Sequence, residues 1–191
     1  GTGMLWVGWF GFNGGSALTA GSRAVMAITS THLSACAGAL TWAALEWSTR
    51  RKPSVLGMIS GAVAGLGTIT PASGFVAPWA GIVIGIVAGA VCFWACTWLK
   101  VRFKYDDSLD VFGVHGVGGI TGTILCGVFA VSAIGGTSGL IENNGQQVLI
   151  QLAGVGITLA WTAVVTFILL KLVGVFAPLR VKIKQELEGL D

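Results

Sequence analysis

Six long apolar segments divide the chain, and short polar connections separate them. The segments are 4–20, 24–47, 54–72, 78–99, 111–134 and 148–177. A helix needs about 20 apolar residues to cross the ~30 Å hydrocarbon core of a bilayer. Each segment is therefore predicted to cross; the first is short, and the last is long enough to cross only with a tilt. The pattern predicts an all-α polytopic membrane protein with six transmembrane helices.

Composition strengthens this prediction and excludes other classes. Of the 191 residues, 54% are hydrophobic and 10% are charged, whereas a soluble domain is about 25% charged. So few charged residues cannot cover the surface of a water-soluble globular protein, and we expect the chain to lie in a lipid bilayer. The net charge of +3 comes from short clusters between apolar runs, which does not indicate nucleic-acid binding.

The connections alternate between basic and nearly uncharged. Three Lys or Arg residues occur in each of the connections 48–54, 100–107 and 179–186, whereas 19–24, 70–78 and 135–147 hold only Arg23. Lys171 lies near the end of the sixth segment, from where it can reach the basic side. By the positive-inside rule the basic connections face the cytoplasm. We expect a multi-pass protein of the cell membrane with a cytoplasmic C-terminus.

Small residues leave two interpretations open. Glycines recur every four residues in two segments, at 57, 61 and 65 and again at 81, 85 and 89. Such stripes let helices approach closely, either around a pathway or as ordinary membrane packing.

All four cysteines, Cys36, Cys92, Cys96 and Cys126, fall inside apolar runs. They are interpreted as reduced small hydrophobes rather than a metal site or a disulfide, and we expect no metal and no cofactor.

Two histidines lie in apolar segments. A polar side chain in hydrocarbon has a high free-energy cost, so it usually faces a cavity or another helix. His115 lies among glycines at 113, 116, 118 and 119 in DVFGVHGVGGITG. These glycines favour room around the ring, and a neutral imidazole can relay protons; a hydrogen bond across a helix interface is the alternative. Asp110 is placed to cap this helix. We expect His115 to face the interior of the bundle.

His32 has a weaker claim to function. Its neighbours Thr29, Ser30, Thr31 and Ser34 offer hydrogen-bond partners, so a structural role is favoured. The first segment, LWVGWFGFNGGSA, carries four aromatic residues and ends in Asn13 and Ser16. The aromatics either mark the membrane interface or face a pore, where ring faces attract cations and a hydroxyl accepts a hydrogen bond from one.

Three motifs carry a family resemblance. GWFGFNGGSA (8–17), KPSVLGMISGAVAGLGTITPASG (52–74) and DVFGVHGVGGITG (110–122) resemble the second half of a bacterial ammonium transporter of the Amt/Mep/Rh family. The resemblance implies a homotrimer of eleven-helix subunits, each built from two inverted repeats plus a final outer helix. Residues 1–191 would be the C-terminal part of that transporter domain, with helices six to eleven. The final LEGLD resembles the start of the family's cytosolic tail, placed at 179–191.

The resemblance also assigns roles to individual residues. His115 becomes one of two stacked pore histidines, Phe12 part of the outer gate, and Ser16 part of the outer ammonium recruitment site. Trp9 and Thr70 match residues that line the mid-pore near the histidines, so His115 is expected to lie near them. Leu5 and Val111 match the apolar lining of the pore. Structural roles are assigned to Asp110, Asn13 and His32.

The implied function is non-enzymatic transport of ammonium or ammonia for nitrogen uptake, with PII regulatory proteins as possible partners on the cytoplasmic face. An Amt-like ammonium sensor coupled to a signalling partner is the alternative. The chain opens on GTGMLW, and we expect it to begin part-way into a larger protein and to be inactive alone. The transported species, ammonia or ammonium, stays open.

Overall fold

A computed structural model describes residues 1–189, which fall into two units, 1–152 and 153–189, divided within one long helix. The helices are α1 Thr2–Gly15, α2 Ser22–Arg50, α3 Val55–Ile69, α4 Pro78–Trp94, α5 Lys100–Phe103, α6 Val117–Phe129, α7 Ser132–Gly135, α8 Gln146–Phe176 and α9 Ile183–Glu188. One π-helical turn, Ala95–Leu99, joins α4 to α5, and a second, Phe112–Gly116, leads into α6. Over residues 1–189 no β-strand forms, apart from an isolated bridge between Val76 and Ala130.

Each predicted apolar segment contains a helix, and the lengths differ from the segments. Four helices are long and apolar enough to cross a membrane: Ser22–Arg50, Pro78–Phe103, Phe112–Phe129 and Gln146–Phe176. The other two, α1 and α3, have 14 and 15 residues, which is about 21–23 Å of helix. They stop short of the segment ends because the chain enters turns after Gly15 and Ile69. The fourth segment, by contrast, is helical to its end, because the π-helical turn Ala95–Leu99 continues the helix after Trp94.

Helix α2 is the centre of the first unit, with α3 and α4 packed against it. Both glycine stripes face it. A Cβ added at Gly61 would lie 2.5 Å from Trp42 Cβ, and one added at Gly85 would lie 2.8 Å from Ala37 Cβ. Contacts this short leave no room for a side chain. The stripes therefore serve close helix packing onto α2, which favours the packing interpretation over one in which they surround a pathway.

The start of the fifth segment corrects the predicted cap. The Asp107 carboxylate accepts the backbone N–H groups of Val111 at 2.8 Å and Phe112 at 2.9 Å. Asp110 has a left-handed backbone with φ 56°, and its carboxylate accepts a 2.7 Å hydrogen bond from Lys100 Nζ. The prediction that Asp110 caps this helix is wrong, because the loop folds back and brings Asp107 over the first free N–H groups.

Buried residues of the first unit are mostly small or aliphatic. One cluster joins Ile69, Val76, Ile84 and Cys126. All four cysteines are free thiols, and Cys92 and Cys126 are buried. The Cys92 thiol lies 3.7 Å from the carbonyl oxygen of Val114, so it bridges α4 and the turn that carries His115.

The second unit, 153–189, contains most of α8 and the short helix α9, and its side chains are largely exposed. Lys171 Nζ lies 5.4 Å from the centroid of the Phe167 ring. After α8, Arg180 pairs with Glu186 at 3.1 Å. The assignment of 179–191 to a cytosolic tail stays a prediction, and its last two residues, Leu190 and Asp191, lie outside the described residues.

Candidate functional site

One face of α1 forms an open apolar groove of about 600 Å³. Leu5, Trp9 and Phe12 line it, together with Gly1, Met4 and Gly8. Their spacing of four and three residues places the three large side chains on one helix face over about 10 Å. Leu5 is 53% exposed and Phe12 62% exposed. The sequence-predicted pore residues of α1 therefore share one surface.

Hydrogen bonds fix Trp9 within this face. Its indole Nε1–H donates to Thr70 Oγ1 at 2.8 Å, and the Thr70 hydroxyl donates to the carbonyl of Leu66 at 2.8 Å. The Trp9 ring meets Phe12 edge-on, with centroids 6.1 Å apart. With its only polar atom engaged by α3, Trp9 presents apolar ring surface to the groove.

At the end of α1, Ser16 stands as the C-cap and its hydroxyl donates to the carbonyl of Phe12 at 2.7 Å. A hydroxyl has one proton and two acceptor lone pairs. Because the proton is used by Phe12, the exposed oxygen is left to accept hydrogen bonds. A cavity of about 110 Å³ adjoins it; its lining includes Phe12, Asn13, Ser16, Arg23, Thr70, Ser73 and Phe75.

Arg23 belongs to this outer cavity, and sequence reasoning assigned it no role. Its Nε–H donates to the carbonyl of Gly74 at 3.1 Å, and its guanidinium carbon lies 4.6 Å from the centroid of Phe75. These contacts hold the turn after α3 against the start of α2. The sequence held one indication of a role for Arg23: it is the one basic residue in the connections 19–24, 70–78 and 135–147.

His115 lies in the π-helical turn before α6, and its side chain is exposed. A Cβ at Gly67 would lie 3.8 Å from its Nδ1. Gly67 precedes Thr70 by three residues, so His115 and Trp9 both lie against this side of α3, about one helical turn apart. Among the described residues the ring is exposed, and that His115 faces the interior of the complete bundle near Thr70 and Trp9 stays a prediction. Val111, one turn before His115, is 53% exposed.

Three of the four glycines around His115 serve packing, which differs from their predicted role. A Cβ at Gly113 would meet Cys96, one at Gly116 would lie 2.8 Å from the Phe112 ring, and one at Gly118 would lie 2.8 Å from Thr68 Oγ1. The fourth, Gly119, has open space around it. The glycine beside the ring is Gly67, which lies on another helix.

The two remaining polar candidates of the first helices join α1 to α2. Buried Asn13 donates through Nδ2 to Thr31 Oγ1 at 2.8 Å. His32 lies between the Trp6 ring at 5.5 Å and the Phe10 ring at 5.8 Å. The hydroxyl partners expected for His32 are wrong: those of Thr29, Ser30, Thr31 and Ser34 donate to backbone carbonyls. An aromatic contact with α1 takes their place.

At the opposite end of the unit, a buried carboxylate was missed by sequence reasoning. Glu46 is 4% exposed and accepts from Ser54 N–H at 2.7 Å and Ser54 Oγ–H at 2.9 Å, while Arg50 lies 3.4 Å away. It lines a cavity of about 330 Å³ that also includes Ser108 and Asp110. The basic connections after α2 and α5 therefore meet at one end, and Ser16 and Arg23 lie at the other.

Comparisons place the chain among known proteins. The Ammonium Transporter Family matches residues 1–191. An ammonium transporter of Bacillus subtilis is 46% identical over 98% of this chain and 47% of its own length. The crystal structure of Saccharomyces cerevisiae Mep2 superposes with a TM-score of 0.90 at 43% identity, over 96% of this chain and 43% of that chain. A structure titled Sensor Amt Protein matches with a TM-score of 0.89 at 29% identity, over 100% of this chain and 46% of that chain.

The chain spans about half the length of the curated relatives that it matches. The family match nonetheless covers every residue, and the fold agrees with that of a polytopic membrane protein. This chain belongs to the ammonium transporter family.

Proposed function

We propose that this chain supplies one wall of a pore through which ammonium or ammonia crosses the cell membrane. The observation that carries the proposal is the exposed face of Leu5, Trp9 and Phe12, which ends at the Ser16 hydroxyl. An apolar face in a bilayer lies against lipid, another helix or a passage, and the Ser16 hydroxyl at the end of this one favours a passage. The name of the Bacillus subtilis relative, ammonium transporter, supports a passage for this substrate.

The order of groups along α1 suits selective dehydration. Ser16 offers an acceptor oxygen, and the Phe12 and Trp9 rings offer faces that attract a cation. Beyond them the wall is apolar. Desolvation of an unpaired charge there has a large free-energy cost, which neutral ammonia avoids. Ammonium therefore binds at the outer end, and its nitrogen crosses the apolar wall as ammonia once the proton has been accepted by a basic group of the pore, for which His115 is the candidate in this chain.

His115 follows on the same side of α3, past Thr70 and Gly67. A neutral imidazole donates from one nitrogen and accepts at the other, so it can exchange a proton with a passing amine. Its exposure in this chain fits contact with a substrate path or with the remainder of the protein. The proposed role is proton relay in the pore centre.

Uptake of labelled methylammonium by cells that lack other ammonium transporters tests this role in the complete protein. His115→Ala is expected to lower selective uptake by about 100-fold or more, the scale of losing one positioned proton-transfer group. His32→Ala is the matched control, since that ring contacts Trp6 and Phe10 instead of the groove. Equal uptake and selectivity in the two variants would remove His115 from the mechanism.

The sensor alternative has one observation behind it, the match to the Sensor Amt Protein at 29% identity. The transporter of Bacillus subtilis is 46% identical over nearly the same span. The larger identity favours transport as the function. A signalling role would require a partner domain, and sequencing the complete gene beyond residue 191 tests for one.

The remaining proposals concern assembly and regulation. We expect a homotrimer, with the connections 48–54 and 100–107 and the tail from 179 on the cytoplasmic face. Their basic residues suit docking of a PII regulatory protein, or they serve only to set topology. A pull-down of the complete protein with its own PII, with and without ADP and 2-oxoglutarate, distinguishes the two. Absence of binding under every nucleotide condition would eliminate the regulator.

A further inference from the structure

Among the described residues that line the small cavity beside Ser16, one side chain is charged, and it is the Arg23 guanidinium. A compact space of about 110 Å³ is roughly 6 Å across, so a cation inside it lies within about 10 Å of the guanidinium, which is the Debye length at 0.1 M salt. A cation recruited at Ser16 therefore meets a like charge that salt only partly screens.

Two contacts hold the Arg23 guanidinium at this cavity. Its Nε–H donates to the Gly74 carbonyl at 3.1 Å, and its central carbon lies 4.6 Å from the centroid of the Phe75 ring. Phe75 is itself fixed, because its carbonyl accepts the Val131 N–H at 2.8 Å and a Cβ at Gly135 would lie 2.9 Å from its Cα. A resident cation thus covers a face of one of the aromatic rings that line the cavity.

Neither ion pairing nor helix polarity accounts for this charge. In the part of the chain that the structure describes, Arg23 forms no ion pair. The one acidic residue of the connections 19–24, 70–78 and 135–147 is Glu142, and its carboxylate accepts the backbone N–H of Ser132. Arg23 is the second residue of α2, where the helix macrodipole disfavours a cation. The contacts with Gly74 and Phe75 require a donor and a flat group, but no net charge at the helix end.

We propose that Arg23 is a specificity-determining residue of the outer cavity: its positive charge weakens the binding of every cation beside Ser16 and leaves neutral ammonia unaffected. This inference rests on the proposed function, in which Ser16 recruits ammonium. At about 10 Å the repulsion lowers the affinity for a monovalent cation by about twofold at the dielectric constant of water, and by about 15-fold at the value typical of a protein surface.

The charge affects ammonium and alkali metal ions differently once they are bound. A neighbouring like charge favours the neutral form of a titratable group, so ammonium can leave the cavity inward by giving up its proton. An alkali metal ion has no neutral form and stays repelled, as cations are by an arginine at a channel constriction. Weak binding at the outer cavity thus serves selectivity.

Charged thiol reagents measure the potential at Ser16 without any transport. Ser16→Cys is introduced into the complete protein with its other cysteines replaced by alanine, and the protein is treated in a neutral detergent with a cationic or an anionic methanethiosulfonate. Arg23→Gln is expected to raise the ratio of the cationic to the anionic reaction rate by about fourfold or more, because loss of the charge speeds one reaction and slows the other.

Two variants separate charge from packing. Arg23→Lys keeps the charge but loses the planar guanidinium, and it is expected to keep the natural rate ratio. Lys52→Gln removes a positive charge from the connection 48–54, outside the lining of this cavity, and is also expected to keep it. An unchanged ratio in Arg23→Gln would overturn the proposal, and so would an equal change in Arg23→Lys or in Lys52→Gln.

Should Arg23→Gln fail to fold by circular dichroism, Ser22→Glu provides a second test. It places a negative charge in the first turn of α2, where the helix macrodipole favours an acid, and it removes no contact of Arg23. The variant is expected to raise the rate ratio as Arg23→Gln does. An unchanged ratio would overturn the proposal.

Uptake of labelled methylammonium gives a second readout, in cells that lack other ammonium transporters. Arg23→Gln is expected to lower the concentration for half-maximal uptake by about twofold or more at low ionic strength, with a smaller difference at high salt. A higher half-maximal concentration in Arg23→Gln would overturn the inhibitory role. Absence of uptake by the natural protein would instead refute the proposed transport function, whereas the reagent rates would still decide the role of the charge.

Discussion

The Ser16 hydroxyl and the Phe12 ring lie one helical turn apart, and they have different chemistry to offer a cation. Ser16 spends its proton on the Phe12 carbonyl and keeps its oxygen lone pairs outward. Phe12 offers only a ring, 62% exposed and held edge-on by Trp9. Ser16 is therefore proposed to bind the cation, and Phe12 is proposed to control its passage.

The separation predicts different kinetics for two variants of the complete protein. Ser16→Leu is expected to raise the ammonium concentration that gives half-maximal uptake, with the largest loss at low concentration, because recruitment then limits flux. Phe12→Ala is expected to change the maximal rate and the discrimination against larger amines. Uptake measured over a range of ammonium and methylammonium concentrations checks both. The same concentration dependence in the two variants would contradict separate roles.

At the scale of elements, glycine contacts decide how closely the central helices approach. Each stripe lies where α3 or α4 crosses α2, and the atoms nearest to Gly61, Gly65, Gly81 and Gly85 are backbone or Cβ atoms, which cannot rotate away. A methyl group there requires the helices themselves to separate. Stability of the unit therefore depends on positions that have no side chain.

Gly61→Ala and Gly85→Ala are each expected to destabilise the protein by about 1–3 kcal/mol, the usual cost of overpacking. The added methyl would lie 2.5 Å from Trp42 Cβ in the first variant and 2.8 Å from Ala37 Cβ in the second. Gly154→Ala is the matched control, because a Cβ there meets nothing within 4 Å. Thermal unfolding in detergent measures all three; similar midpoints for Gly61→Ala and Gly154→Ala would refute tight packing.

The connection before α8 depends on pH through one carboxylate. Glu142 Oε2 accepts the backbone N–H of Ser132 at 2.8 Å. This bond, helped by the Ser138 hydroxyl, lowers the pKa of Glu142 below its ordinary value of 4.5. The folded state therefore favours the ionised form. Its stabilising effect is complete above pH 4.5 and is lost as pH falls through the lowered pKa.

Glu142→Gln is accordingly expected to lower the unfolding midpoint at pH 7 by more than it does below pH 4.5. The reason is that the natural side chain becomes neutral in acid and then resembles the amide. Thermal scans of both proteins across this range measure the difference. Glu188→Gln in α9 makes the same charge change away from this loop. If Glu142→Gln lowered the unfolding midpoint equally at pH 7 and below pH 4.5, the lowered pKa of Glu142 would be contradicted.

At the scale of the whole molecule, charge distinguishes the two ends of the first unit. Glu46, Arg50, Ser108 and Asp110 border the cavity at one end, and Ser16 and Arg23 border the cavity at the other. A basic excess at one end sets orientation during insertion. The proposed recruitment site at Ser16 therefore lies at the end away from the cavity that Glu46 lines.

Orientation is tested with single cysteines in a variant whose four natural cysteines are replaced by alanine. Ser16→Cys is expected to react with a membrane-impermeant maleimide added to intact cells, and Ser108→Cys only after the cells are opened. Both side chains are exposed, so accessibility does not limit labelling. Labelling of Ser108→Cys in intact cells would reverse the proposed topology.

Much of this protein followed from the sequence because the bilayer imposes its own rules. Length and hydrophobicity predicted the helices, three motifs indicated the family, and the direction inferred from the basic connections stays a prediction. The family resemblance named Leu5, Trp9 and Phe12 as pore residues, and their local spacing places all three on one face of one α-helix. Within these limits no tertiary contact was needed.

Other features required contacts between residues far apart in the chain. Three acidic residues precede α6, and only the fold of the loop shows that Asp107 caps it and that Asp110 meets Lys100 instead. Trp9 and Thr70 are 61 positions apart, and Arg23 and Gly74 are 51 apart. His115 lies beside Gly67, which is 48 positions away on another helix. Periodicity describes one helix at a time, so only the tertiary structure could decide which faces meet.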